Sequence, residues 1–182
     1  MTNVSRQLTV GELAAIVSTA LRASGITAVL CGGSVVSIYT ENEYQSADLD
    51  FVTSAGHDRL TAAMNTIGFR RAEGRYYDHP ECDFLVEFPS APVALGNELV
   101  ENWSKLSTSV GEIEILSPIQ CIKDRLAAFY HWNDRQCLDQ ALMVARRHRV
   151  DMKELERWSL GEGKPDRFLE FRNAARKRRR RT

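Results

Sequence analysis

The chain of 182 residues has no net charge and no apolar run of membrane length. Its 24 basic residues are balanced by 24 acidic ones, so the overall charge attracts neither nucleic acid nor an anionic membrane. No apolar stretch approaches the roughly 20 residues that a membrane-spanning helix needs, and the N-terminus lacks the layout of a signal peptide. We therefore expect a cytoplasmic protein without a membrane partner.

Paired metal-binding motifs are also missing. The cysteines form no Cys-x-x-Cys pair, and most of them lie in apolar patterns, which indicates buried free thiols in a reducing compartment: Cys31, Cys82, Cys121 and Cys137. His57, His79 and His148 have no partner at the spacing of zinc ligands. The sequence contains no internal repeat, and its one low-complexity stretch is an arginine-rich end. A zinc site is not expected.

The patterning that is present predicts an α+β fold. The length suits one hydrophobic core with a helical extension. Residues 1–116 alternate strand and helix patterns and would form an α/β core around a mixed sheet. Residues 117–175 show helical periodicity and would pack on that core, with Ser117 and Pro118 starting the first helix. Residues 176–182 are basic, and we expect them to form a disordered tail.

A glycine turn follows the first predicted strand. Residues 27–31 are apolar and lead into Gly32, Gly33 and Ser34, after which a helical pattern begins. Glycines allow the backbone to approach an anion closely, and the amide groups at a helix start point toward it. This arrangement predicts a phosphate-binding turn. Ser34 would either contact the phosphate or cap a helix beginning at Val35.

Two aspartates occupy alternate positions of the next predicted strand. Asp48 and Asp50 project from one face, while Leu49 and Phe51 project from the other. Two neighbouring carboxylates repel each other unless a cation lies between them, and hard oxygen ligands of this kind suit Mg²⁺. A phosphate-binding turn beside a magnesium site predicts phosphoryl-transfer chemistry.

In order, these motifs resemble a known signature. Gly32-Gly33-Ser34, a gap of thirteen residues and then Asp48-Leu49-Asp50-Phe51 are similar to the motif of the nucleotidyltransferase superfamily. That superfamily includes DNA polymerase beta and the bacterial minimal and AbiEii-type nucleotidyltransferases. The resemblance covers about residues 27–88. It implies a nucleotidyltransferase-like fold in which the turn holds a nucleoside triphosphate (NTP) and carboxylates bind two Mg²⁺ ions.

The same resemblance implies a third carboxylate on a neighbouring strand. Asp83 lies in the apolar context that the superfamily shows at this position, so it is the first choice, with Glu87 in reserve. The two share a strand face but lie about 13 Å apart along it, so they cannot both serve one metal pair. A charged residue at a sheet edge that only discourages aggregation is the alternative for either.

Arg125 precedes a small apolar helical segment where AbiEii-type relatives carry a lysine, which implies a phosphate contact. An arginine can also bind phosphate through its planar guanidinium. The alternative is a structural salt bridge to Asp124 or Asp134.

The resemblance implies an enzyme that transfers a nucleoside monophosphate to a hydroxyl acceptor on RNA, a protein or a small molecule such as an aminoglycoside. A toxin–antitoxin context is also implied, with a cognate toxin or antitoxin as partner. One alternative is a catalytically silent protein of this fold that acts as an antitoxin or regulator. Another is an RNA- or DNA-binding protein that uses the arginine tail and the aromatic segment 129–132.

Overall fold

The structure, a computed structural model, describes residues 4–179. In that range the nine strands are β1 (Val29–Cys31), β2 (Asp48–Val52), β3 (Arg70–Arg71), β4 (Tyr76–His79), β5 (Cys82–Glu87), β6 (Ala94–Leu95), β7 (Glu98–Leu99), β8 (Ser104–Ser107) and β9 (Glu112–Ile115). The seven helices are α1 (Val10–Ala23), α2 (Gly32–Tyr39), α3 (His57–Asn65), α4 (Pro118–Trp132), α5 (Arg135–Arg147), α6 (Met152–Gly161) and α7 (Pro165–Arg179). Across the part of the chain that the structure describes, no helix combines the length and the apolar character needed to cross a membrane.

Seven of the strands form one mixed sheet, in the order β3-β4-β5-β2-β1-β9-β8. β2 pairs in parallel with β5, and β1 pairs in parallel with β9, while the other neighbours are antiparallel. The predicted α+β fold with a mixed sheet is therefore confirmed. β6 and β7 form a separate hairpin that the sequence analysis did not predict, because strands of two residues are too short to show an alternating pattern.

α1 begins with a capping box. The Thr9 hydroxyl accepts a hydrogen bond from the Glu12 amide (3.2 Å), and the Glu12 carboxylate accepts one from the Thr9 amide (2.9 Å). The helix ends before Gly25, whose φ of 65° is readily adopted by glycine. Its apolar side chains, among them Leu13 and Val17, are buried in the core. This helix packs against β9 and α3 and so covers one face of the sheet.

The C-terminal helices pack on the sheet domain through one continuous core. Ser117 caps α4 in a second capping box with Gln120. α4 and α5 both contact α2, the helix that follows the glycine turn. Tyr130 of α4 stacks on Trp158 of α6, with ring centroids 5.6 Å apart. The proposed division of the chain at residue 116 stays a prediction.

α7 is longer than the sequence indicated. We expected the helical region to end at residue 175 and a disordered tail to follow over 176–182, but α7 spans Pro165–Arg179, so residues 176–179 are helical. Arginine and lysine have high helix propensity, and a hydrogen bond from Arg172 to Glu156 (3.1 Å) ties the helix to α6. The rest of the predicted tail lies outside the described residues.

Candidate functional site

Three carboxylates converge at the centre of the sheet. β2 lies between β1 and β5, and Asp50 is the register partner of Cys31 on one side and of Glu87 on the other. Asp48 lies two residues earlier on the same face of β2. Each of the three acids offers an oxygen within 4.8 Å of the other two. We call Asp48, Asp50 and Glu87 the acidic trio.

Glu87, and not Asp83, completes this group. Parallel pairing sets Asp48 opposite Leu85 and Asp50 opposite Glu87, so Asp83 lies beyond the end of the paired segment. Its side chain is 81% exposed and lies 3.6 Å from the guanidinium of Arg6. The preference for Asp83 over Glu87 as the third carboxylate is therefore corrected. The apolar context that favoured Asp83 carries no information about the register of β5 against β2.

Glu87 is the most buried member of the acidic trio. Its side chain is 7% exposed, whereas that of Arg75, which contacts its Oε1 atom, is 64% exposed. This contact is an ion pair without hydrogen-bond geometry, and Oε1 accepts no hydrogen bond from any described group. A buried carboxylate oxygen without a hydrogen bond is costly, so this atom is available to a cation.

Gly32 makes room for Asp50. Its φ is 74°, in the region that glycine adopts most readily. A Cβ atom on Gly32 would overlap the Asp50 carboxylate. The turn and the second aspartate are thus packed directly against each other. Among the predicted turn residues, Gly32 is the one whose replacement would displace a member of the acidic trio.

Ser46 and Tyr44 complete the surroundings of the turn, and the sequence analysis singled out neither. The Ser46 hydroxyl donates to Oδ1 of Asp48 (2.8 Å) and fixes that carboxylate. A Cβ atom on Gly33 would lie 2.9 Å from the Ser46 hydroxyl and 3.3 Å from the Tyr44 ring, so the backbone at Gly33 is closely packed. The position of Ser46, a hydroxyl residue two positions before Asp48, is the signal that could have identified it.

Ser34 is fully buried within α2. Its hydroxyl donates to the carbonyl of Cys31 (3.2 Å). The helix begins at Gly32, and its N-cap residue is Cys31, which makes no side-chain cap. The expectation that Ser34 caps a helix starting at Val35 is therefore wrong. Phosphate binding by Gly32, Gly33 and Ser34 stays a prediction.

The electrostatics of the trio favour a bound positive charge. Burial, which is the largest cause, and the negative charges of Asp48 and Glu87 together raise the pKa of Asp50 to about 6, while Arg125 acts in the opposite direction. Three carboxylates are thus held together with one guanidinium, that of Arg75, in contact. This set of hard oxygen ligands is of the kind that Mg²⁺ prefers.

Arg125 is largely buried and makes the salt bridge that was one of its two predicted roles. Its Nη2 and Nε atoms donate to Asp124 at 2.6 and 3.1 Å, and Nη1 donates to Gln140 of α5 at 3.4 Å. Burial disfavours its charge, but the charge and hydrogen bond of Asp124, together with the nearby Cys137 and Cys121, outweigh that effect and raise the pKa of the guanidinium. The phosphate contact of Arg125 stays a prediction.

Comparison with known proteins identifies the fold. No protein-family model and no curated protein sequence matches the chain. Two solved structures are similar to it, and both are of ANT(2'')-Ia. The solution structure of this antibiotic-resistance factor is 15% identical, covers 93% of this chain and 91% of its own, and has a TM-score of 0.50. The crystal structure of its complex with adenylyl-2''-tobramycin is 16% identical, covers 93% and 97%, and has a TM-score of 0.51. The chain therefore has a nucleotidyltransferase-like fold.

Proposed function

We propose that the protein transfers a nucleoside monophosphate from an NTP to a hydroxyl group, with divalent cations held by Asp48, Asp50 and Glu87. The observation that carries this proposal is the convergence of the acidic trio directly beside the glycine turn. The fold supports it, because the similar structures belong to a nucleotidyltransferase. The site is where a strand pair and a helix start meet, which is a common place for anion binding.

The donor set fits Mg²⁺ on three counts. All ligand atoms are carboxylate oxygens, the Oε1 atom of Glu87 is buried without a hydrogen bond, and burial together with the charges of Asp48 and Glu87 raises the pKa of Asp50. When bound, Mg²⁺ would neutralise charge that develops on the phosphates during transfer.

The residues of the site have different roles in binding the nucleotide and the metal ions. Gly32 and Gly33 bring the backbone amides of α2 toward the triphosphate. Asp48 and Asp50 would bind the divalent cations, and the Ser46 hydroxyl fixes the Asp48 carboxylate. Glu87 would act as the third carboxylate, for which Asp83 was the first choice from the sequence.

In the reaction, the acceptor oxygen attacks the α-phosphorus in line. The bond from that phosphorus to the bridging oxygen breaks, and pyrophosphate leaves. The proton of the hydroxyl passes to a carboxylate of the site, and Glu87 is our candidate for this base.

A small-molecule acceptor is the first class to test. The neighbouring ANT(2'')-Ia was solved with adenylyl-2''-tobramycin, which is a nucleotidylated small molecule. In this chain the acidic trio would attract a cationic acceptor by its charge. RNA ends and protein hydroxyl groups remain part of the proposal, as does a cognate toxin or antitoxin as partner.

The test is transfer of label from each of the four α-³²P-labelled NTPs, with Mg²⁺, to aminoglycosides, to total RNA and to protein extract. The wild-type protein should label one acceptor class, and Asp50→Asn should abolish that labelling. Asp78→Asn, which changes an exposed carboxylate on β4, is the matched control and should behave as wild type. Normal labelling by Asp50→Asn would refute the proposed site.

The rival is a silent protein of the same fold that regulates a partner. Two observations favour it: the Ser34 hydroxyl donates to the carbonyl of Cys31, and the Arg125 guanidinium donates to the Asp124 carboxylate. This rival predicts no labelling of any acceptor, together with a stable complex on gel filtration that survives Asp50→Asn. Nucleic-acid binding through residues 176–182 predicts instead an affinity that falls steeply with salt.

A further inference from the structure

The β3–β4 hairpin places a guanidinium, that of Arg75, against the acidic trio. Tyr76, the first residue of β4, is the register partner of Glu87 on β5. Arg75 immediately precedes it, just after the turn residue Gly74, and the Nε atom of Arg75 contacts Oε1 of Glu87. The contact therefore joins a hairpin turn at the surface to a buried acid in the middle of the site.

The two partners of this contact differ in exposure. The Glu87 side chain is 7% exposed and lies on a central strand, so its carboxylate is held in place. The Arg75 side chain is 64% exposed. A long, exposed side chain can leave such a contact at little cost, because water solvates the guanidinium as it moves away. The ion pair can open without any rearrangement of the sheet.

We propose that Arg75 competes with the divalent cation for Glu87 and, once displaced, binds the phosphates of the nucleotide. This inference rests on the proposed function, since it assumes that the trio holds a divalent cation.

Charge explains both halves of the proposal. A divalent cation bound at the acidic trio would interact with all three carboxylates, whereas Arg75 contacts one of them. The cation should therefore win at sufficient concentration, and its charge repels the guanidinium. Arg75 is then a free cation at the rim of the site, and its planar fork matches two oxygens of a phosphate group.

The experiment is a titration with Mn²⁺, followed by electron paramagnetic resonance, on the full chain without nucleotide. Arg75→Ala should bind Mn²⁺ about three- to tenfold more tightly than wild type, because the competing charge is gone. Arg70→Ala, which removes another exposed arginine from the same hairpin, should leave the affinity unchanged.

A second titration uses a nonhydrolysable ATP analogue at saturating Mn²⁺. Arg75→Ala should bind the analogue about fivefold or more weakly, since a charge-assisted contact is lost. Arg75→Lys should be intermediate in both titrations, because it keeps the charge and loses the fork. A residue with only a structural role would not shift the two affinities in opposite directions.

The outcomes separate this inference from the proposed function. If Arg75→Ala binds Mn²⁺ with the wild-type affinity or less, Arg75 does not compete with the cation and the inference is overturned. An unchanged affinity for the analogue overturns the phosphate half. If wild type itself binds no Mn²⁺, the cation site fails, and the proposed function fails with it. Urea denaturation of each variant establishes that the hairpin is folded.

Discussion

Asp50 and Glu87 lie opposite each other on the parallel strands β2 and β5, although a helix and a hairpin separate them in the chain. Their register places two carboxylates on the same face of the sheet, and Asp48 adds a third. The site is therefore a consequence of strand pairing as much as of the local Asp-x-Asp motif. Several measurements depend on this relationship.

The choice between Glu87 and Asp83 can be decided by substitution. We expect Glu87→Gln to lower the rate of nucleotide transfer at least about a hundredfold, because a group that holds the metal or accepts the proton is lost. Asp83→Asn should retain at least half the wild-type rate, since its side chain is 81% exposed and outside the trio. The opposite pattern in a steady-state transfer assay would restore Asp83 as the third acid.

Gly32 should not tolerate a side chain. Gly32→Ala adds the cost of a positive φ, about 1 kcal/mol, and an overlap with the Asp50 carboxylate. We expect it to lower the free energy of unfolding by about 2–4 kcal/mol and to abolish Mn²⁺ binding.

Gly163→Ala is the matched control for the backbone alone. Gly163 has a φ of 69°, and a Cβ atom there would meet nothing within 4 Å. This variant should lose about 1 kcal/mol in urea denaturation and bind Mn²⁺ normally. Equal losses in the two variants would show that the contact between Gly32 and Asp50 does not matter.

The contribution of Asp50 to the stability of the cation-free protein should become less favourable as the pH rises from 4 to 7. The pKa of Asp50 is raised from 3.8 to about 6. Between these pH values the folded state keeps a proton on Asp50 that the unfolded chain has already lost, so a rise in pH favours the unfolded chain. Asp50→Asn should therefore stabilise the cation-free protein by about 1–3 kcal/mol at pH 7.5 and by much less at pH 4. Urea denaturation in EDTA at both pH values measures this difference.

Added Mg²⁺ gives an independent check on the same group. Binding to the ionised carboxylates should stabilise the wild type at pH 7.5 and should have little effect on Asp50→Asn. A stability difference between wild type and Asp50→Asn in EDTA that does not change with pH would contradict the raised pKa.

Arg125 should prove to be structural in part. Its guanidinium is hydrogen bonded to Asp124, and both side chains are largely buried (16% and 22% exposed). Arg125→Ala leaves the Asp124 charge without a partner, and we expect a loss of about 3 kcal/mol in the free energy of unfolding. Combining Asp124→Asn with Arg125→Gln should restore much of it.

The matched control is Arg22→Ala, which removes an exposed ion pair to Glu112 and should cost about 1 kcal/mol or less. If Arg125→Ala weakens nucleotide binding without changing stability, the phosphate contact is its main role.

The sequence was sufficient for the parts of the site that are local. The strand before Gly32, the presence of a helix after it and the shared face of Asp48 and Asp50 follow from short-range patterns. Each depends on residues within one or two elements, where alternation and glycine content carry the signal. The α+β fold, which the structure confirms, could be predicted for the same reason.

Long-range pairing accounts for what the sequence did not predict. The choice of Glu87 depends on the register between β2 and β5, and the position of Arg75 depends on a hairpin pairing with β5. Neither register can be predicted from the residue pattern within a single strand. Tyr44 lies in a polar loop, and its contact with the turn becomes visible only when α2 and β2 are packed together.

The most direct measurement of the central claim is a crystal structure of the protein soaked in Mn²⁺, with anomalous difference density recorded. We expect an anomalous peak within coordinating distance, about 2.2 Å, of carboxylate oxygens from Asp48, Asp50 and Glu87. A peak elsewhere, or no peak at a concentration that saturates other Mn²⁺ proteins, would contradict the claim that these three acids form a cation site.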